Sequence, residues 1–204
     1  MTRRLRPSVN AGSMADIAFL LLIFFLVSTK METDYGITRK LSPPADDYPT
    51  EAIIMEKNLF KVELNQLNEL SVEGTSMKIS ALKDAAIAFL DNGGGFGELA
   101  CNYCKGEGDV TSSDHPTKAI ISLINNRETN YATYVAVQNE LVAAYTELRN
   151  REAKRLYGFS FTEIRKSFKD ARNPNDKEVL RERIKTIQSL YPEKITEAEP
   201  RNQY

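Results

Sequence analysis

Residues 11–29 read AGSMADIAFLLLIFFLVST, and this is the segment of the chain apolar enough to leave water. Every residue from Ile17 to Val27 is apolar, a continuous run with neither the alternation of a half-buried strand nor the polar face of a surface helix. Extended back through Ala15, Met14, Gly12 and Val9, it reaches roughly the 20 residues that a bilayer core requires. The stretch predicts a transmembrane helix over 9–29. It carries one acid, Asp16. A carboxylate in that setting costs about 2.5–3.5 kcal/mol on insertion scales, and intramembrane acids face a protein or aqueous interior and mark ion or proton paths. Asp16 is therefore the first candidate functional residue. Ser13, Phe19, Leu20 and Ile23 lie three to seven residues from it and share its side of the helix.

Orientation follows from the flanks. Arg3, Arg4 and Arg6 precede the run with no acid among them, whereas Lys30 beyond it is set against Glu32 and Asp34. Positive charge stays inside, so residues 1–8 form a cytoplasmic tail and the rest of the chain lies across the membrane. Two other readings of the same stretch stand beside this one. A basic start and an apolar run also describe a secretory signal, although no small-x-small cleavage pattern follows Val27. Alternatively the helix is an anchor and Asp16 stays hydrated among the cytoplasmic headgroups.

The remaining chain has ordinary globular composition. Of 204 residues 42% are hydrophobic, and 27 Lys and Arg balance 28 Asp and Glu. One modest domain fits, and no basic footprint points to nucleic acid. Residues 30–57, with Pro43, Pro44 and Pro49 among scattered charges, read as an extended linker. Its short apolar run at 52–55 could add a strand to a sheet edge. The soluble domain is expected over 58–204. Phe60, Val62 and Leu64 alternate with Lys61 and Glu63, and Leu70 and Val72 repeat the pattern, predicting two strands joined as a hairpin through 65–68. Ile79, Leu82, Ala86, Phe89 and Leu90 define an amphipathic helix over 77–90 that ends at Asn92 and Gly93. Residues 118–124, KAIISLI, suit a strand buried on both faces. A second helix is expected from about Tyr131 to Tyr157, with Tyr134, Val135, Val137, Leu141, Val142, Tyr145 and Leu148 as its core stripe and a charged outer face past Glu147. A polar helical extension follows over 158–190, and a short last strand is expected around 194–197.

The run from Asn10 to Thr29, NAGSMADIAFLLLIFFLVST, closely resembles the transmembrane helix of the ExbD/TolR family, the small subunits of proton-driven motors in Gram-negative envelopes. A fainter resemblance covers 130–141, NYATYVAVQNEL, and the order hairpin, helix, strand, helix. The resemblance implies a single-pass inner-membrane protein with its N-terminus in the cytoplasm. It implies a periplasmic α+β domain whose mixed sheet carries two helices on one face. Asp16 falls on the family's essential aspartate and would be the proton relay. The implied partners are an ExbB-like (MotA/TolQ/ExbB) multi-helix channel protein, a TonB-like protein and a second copy of this chain, giving a homodimer within the complex. No cofactor and no enzymatic activity are implied. The expected function is to couple the proton motive force to TonB-dependent transport across the outer membrane. A TolR-like role in envelope maintenance and cell-wall binding, and a membrane-tethered binding module without proton coupling, are the alternatives.

Two features depart from that pattern, the 158–190 extension and a glycine-rich insertion at 92–117 holding Cys101 and Cys104. A Cys-x-x-Cys pair supports a local disulfide, a redox-active pair or half of a tetrahedral zinc site. The string CNYCKGEG resembles one repeat of the zinc-binding modules of DnaJ-type chaperones. One such pair closes no four-cysteine site, but two copies meeting in a dimer could hold an intermolecular zinc at Cys101 and Cys104. An oxidising periplasm favours the disulfide. Nothing else assembles a catalytic site: the single histidine, His115, precedes Pro116 in a turn-like run without an evident partner.

Overall fold

The structure, a computed structural model, describes residues 11–28 and 55–198. The tail expected at 1–8, both ends of the expected 9–29 span and the linker through residue 54, including most of its apolar run, lie outside the described residues. The chain divides into two units, 1–44 and 45–204.

In the first unit, helix α1 runs over Ala11–Ser28. Its apolar residues point in every direction: Met14, Ile17, Phe19 through Ile23, Phe24 and Phe25 are all exposed. At 1.5 Å per residue the 18 residues reach about 27 Å. Among the described residues no helix is long and apolar enough to cross a membrane.

The second unit is an α+β domain built on one mixed sheet. Strands β1 (Leu59–Leu64), β2 (Leu70–Val72), β3 (Thr75–Met77), β4 (Ile120–Asn125) and β5 (Ile195–Ala198) stand in the order β3-β2-β1-β4-β5. The β1–β2 and β2–β3 pairs are antiparallel, whereas β4 runs parallel to both β1 and β5. The β1–β2 connection is fixed by Asn65, whose Oδ1 accepts hydrogen bonds from the Leu67 and Glu69 amides, both 2.9 Å. Strand β3 is an addition to the sequence reading, which began a helix at Met77. The two turn residues Glu73 and Gly74 both have positive φ, 49° and 76°, the tight hairpin geometry that matches strand twist, so the chain doubles back before helix α2 begins at Ile79.

Helices α2 (Ile79–Leu90) and α3 (Tyr131–Tyr157) pack on each other and cover one sheet face. Phe60, Val62, Leu64, Ile121 and Leu123 from the sheet meet Leu82, Ala86, Phe89 and Leu90 of α2 and Val137, Leu141, Tyr145 and Leu148 of α3. The burial expected on both faces of 118–124 is met only in part: Ser122, on the outer face, is buried. Ile121 and Leu123 are fully buried, whereas Ile120 and Ile124 on the other face are half-buried. β4 is apolar because it lies between two parallel neighbours, whose outward side chains, such as Lys61 and Thr196 beside Ser122, shield it in part.

The extension after Tyr157 is two helices, α4 (Phe161–Asp170) and α5 (Pro174–Leu190). Gly158 closes α3 in the left-handed region at φ 77°, and Ser160 with Glu163 forms a reciprocal capping box that opens α4. Asn173 caps α5 ahead of Pro174 at its first turn. Phe161, Ile164 and Ile187 close on Ala153 of α3 as a second small core. Past Glu147, α3 therefore buries Arg149, Glu152 and Ala153 while Lys154 and Arg155 stay exposed. The last strand, β5, occupies one edge of the sheet.

Candidate functional site

Asp16 sits a turn and a half into α1, where no Lys or Arg occurs between Ala11 and Ser28. Helical geometry sets Ser13, Phe19, Leu20 and Ile23 within about a third of a turn on its side. Phe19 and Leu20 are 59% and 58% exposed, so this stripe is uncovered among the described residues. An apolar helix exposed all round, with one ionisable group, is a surface made for lipid or for another helix bundle.

Within the domain, the insertion folds into a cap over the end of α2 and is built by backbone contact. The Asn92 side chain donates to the carbonyls of Asp109 and Ser113, both at 2.8 Å, and accepts from the Asp109 amide at 3.0 Å. The Gly94 and Gly106 amides bond Ser113 and Asp91 carbonyls. A Cβ at Gly94 would meet the Asp109 carbonyl oxygen at 2.1 Å, and one at Gly106 would meet the Asn92 Cα at 2.6 Å. These glycines allow backbone to close on backbone. Asp114 anchors the cap to the start of β1: its carboxylate accepts from Asn58 Nδ2 at 3.0 Å and pairs with Lys57 at 2.6 Å, and its amide donates to Asn58 Oδ1. Burial alone pushes this carboxyl upward, but the Lys57 and Asn58 donors outweigh it and hold it below the usual carboxylate range.

Cys101 and Cys104 are joined in a disulfide with Cα atoms 5.5 Å apart, so neither sulfur is a zinc ligand in this structure. Among the described residues no group of three or more His, Cys, Asp or Glu gathers as a metal site. Tyr103, held between the two cysteines, donates its hydroxyl to the Leu190 carbonyl at 2.9 Å and meets Tyr191 and His115 edge-on. His115 thus has neighbours that the sequence did not show. Its Nδ1 accepts from the Thr117 amide at 3.2 Å, and burial, then Lys118, keeps its pKa below the ordinary imidazole value.

A polar knot lies beneath the cap. Arg151 forks onto both Asp91 carboxylate oxygens, at 2.5 and 2.7 Å, and bonds the Tyr191 hydroxyl at 2.8 Å. Tyr191 in turn donates to Asp91 at 2.6 Å. The fully buried Glu152 carboxylate takes Arg151 on one oxygen and Arg155 on the other. The Asp91 hydrogen bond holds the Arg151 guanidinium above its ordinary pKa, and burial raises the Tyr103 hydroxyl to about 12. The sequence reading missed this knot, because its members come from four separate stretches of chain. It joins the end of α2, the late turns of α3, the insertion and the residues leading into β5.

A groove of about 850 Å³ opens beside the cap, with Phe60, Met77, Ala85 and Phe89 among its lining and Glu73, Glu107 and Asp109 around it. It contains no combination of nucleophile, base and oxyanion donors that would mark an active site.

The described residues thus comprise an apolar helix bearing one acid and a small mixed-sheet α+β domain. The description "Biopolymer transport protein ExbD/TolR" belongs to the family whose profile matches residues 2–151, three quarters of the chain. The chain belongs to the ExbD/TolR family. No curated protein matches it significantly. Members of this family are transport and motor subunits anchored in the inner membrane, and they work with ExbB/TolQ-type and TonB/TolA-type partners.

Proposed function

We propose that this chain is the ExbD-like subunit of a proton-driven motor, with Asp16 as the proton relay. The observation that carries this reading is α1 itself: nine large apolar residues exposed around its circumference, from Met14 to Phe25, and one carboxylate with no cation on the helix. The apolar run read in the sequence over 9–29 supports a membrane span, with the N-terminus on the cytoplasmic side and the α+β domain in the periplasm. A multi-helix ExbB-like channel protein supplies the covering for the Ser13, Asp16, Phe19, Leu20 and Ile23 face, beside a second copy of this helix. Proton binding to Asp16 removes its charge, and the helix then rests differently in the channel. Each charge moved across the membrane field is worth about 2.3 kcal/mol per 100 mV, so a few protons per cycle supply the work. A TonB-like partner carries the resulting motion to outer-membrane transporters.

The test is uptake of a large outer-membrane ligand, such as an iron chelate, in cells whose only copy carries Asp16→Asn. Asparagine keeps the size and cannot ionise. Uptake is expected to fall to the level of the deletion strain while protein level and co-purification of the channel partner stay normal. Full uptake with Asp16→Asn, in a strain where deletion stops uptake, would leave a tethered binding module in place of a motor. Recovery of a TolQ-type rather than an ExbB-type channel protein would shift the role to envelope maintenance.

A further inference from the structure

Past residue 151, where the family match ends, α4 and α5 pack on α3 through their own small core. Helix α4 is two-faced. Phe161 and Ile164 are buried and Phe168 half-buried, while Thr162, Arg165, Lys166 and Lys169 are exposed on the opposite side. Residues 152–190 contain ten Lys and Arg against six Asp and Glu. Four of those acids are already engaged: Glu152 with Arg155, Glu163 with Ser160, Glu178 with Arg181 and Glu182 with Lys185. Arg165, Lys166, Lys169 and Arg172 have no ion pair among the described residues. At the head of this cationic stripe, between Gly158 and the Ser160 cap, stands Phe159, 58% exposed.

We propose that the outer face of α4, headed by Phe159, docks on the anionic headgroups of the bilayer that holds α1; the inference rests on the membrane reading of α1. Cations outnumber acids on this face, where Arg165, Lys166 and Lys169 stand against Asp170, and such an excess suits a broad anionic surface, where each Lys or Arg within a Debye length adds to the attraction. An aromatic ring beside such cations is the side chain that settles at headgroup level. Residues 29–54, 26 in number, span at most about 90 Å, so the surface is within reach of the tether. Binding is then intramolecular, and an affinity too weak to recruit a free protein suffices.

The chain contains no tryptophan, so Phe159→Trp gives a single fluorescent reporter in the full-length protein. Reconstituted in vesicles of phosphatidylcholine with phosphatidylglycerol, its emission is expected to be blue-shifted and at least about twofold more quenched by brominated acyl chains than in phosphatidylcholine alone. Salt at about 0.5 M should abolish the difference, and so should R165E/K166E/K169E added to the reporter. Identical emission in the two vesicles, or a difference that survives salt, overturns the proposal. A signal that follows protein density rather than phosphatidylglycerol overturns it in favour of contact with a second copy. Release of the protein from phosphatidylcholine vesicles by alkaline carbonate refutes the anchor itself and is scored separately. The salt series needs no charge variant, so misfolding of the triple variant leaves the test intact.

Discussion

Helices α1 and α3 handle charge in opposite ways. Eighteen-residue α1 is apolar all round and carries one carboxylate with no cation on the same helix. Twenty-seven-residue α3 is rich in charge, and it buries Glu152 and Arg149 only where partners meet them. Glu152 lies between Arg151 and Arg155. Arg149 gives two hydrogen bonds to the Tyr191 carbonyl, at 3.0 and 2.8 Å, and reaches Glu193 at 3.2 Å. A buried charge that is fully met fixes a structure. A carboxylate in an apolar helix with no cation on that helix is the kind that marks an ion or proton path.

The sharpest way to break this contrast is to remove one charge from each helix. Asp16→Asn should abolish energised uptake with little effect on the melting of the soluble domain, since α1 belongs to a separate unit. Arg151→Met should do the reverse. It leaves Asp91 and Glu152, 5% and 0% exposed at their side chains, facing a lost cation, and should destabilise the domain by about 3–5 kcal/mol, measured by denaturant unfolding of the purified chain. If Arg151→Met proves neutral, the knot is not what joins the C-terminal segment to the sheet.

Smaller effects sharpen the picture of the cap. Cys101→Ser with Cys104→Ser removes a cross-link across a four-residue ring, for which chain entropy gives a loss of about 2 kcal/mol; thermal melting with and without reductant checks it. Asp114 sets an acid limb. Its folded pKa lies below the unfolded value of about 3.9, so its contribution is complete above that pH and is lost as pH falls through the folded value. Asp114→Asn should flatten the stability profile below about pH 4, read by unfolding at a series of pH values. Last, Glu178→Gln should change stability by no more than about 0.5 kcal/mol, because its pair with Arg181 is half exposed on both sides. A larger loss would show that the α4–α5 surface is under tighter constraint than its exposure suggests.

Much of the domain was legible from periodicity. Phe60, Val62 and Leu64 alternate onto the core face, and Leu82, Ala86 and Phe89 recur at helical spacing, because a strand and a helix each repeat their burial within a few residues. Local punctuation carries the helix boundaries as well. Gly158, the Ser160–Glu163 box and Asn173–Pro174 spell out the boundaries of α3, α4 and α5. The knot gave no such signal. Asp91 and Tyr191 are 100 positions apart, and neither residue type at its position differs from an exposed one until the chain is folded.

The sequence by itself determined α1: an unbroken apolar run with one acid has the same meaning whatever surrounds it, because hydrophobicity and helix propensity act on each residue where it stands. It also determined the alternating strands and the amphipathic helix α2. Only the tertiary structure decided that the glycine-rich insertion is a fitted cap, that Arg149 and Glu152 of α3 are interior, and that the C-terminal strand completes the sheet beside β4. Those outcomes depend on groups far apart in the chain satisfying one another's charges and hydrogen bonds, and burial fixes such partnerships only when the whole domain closes.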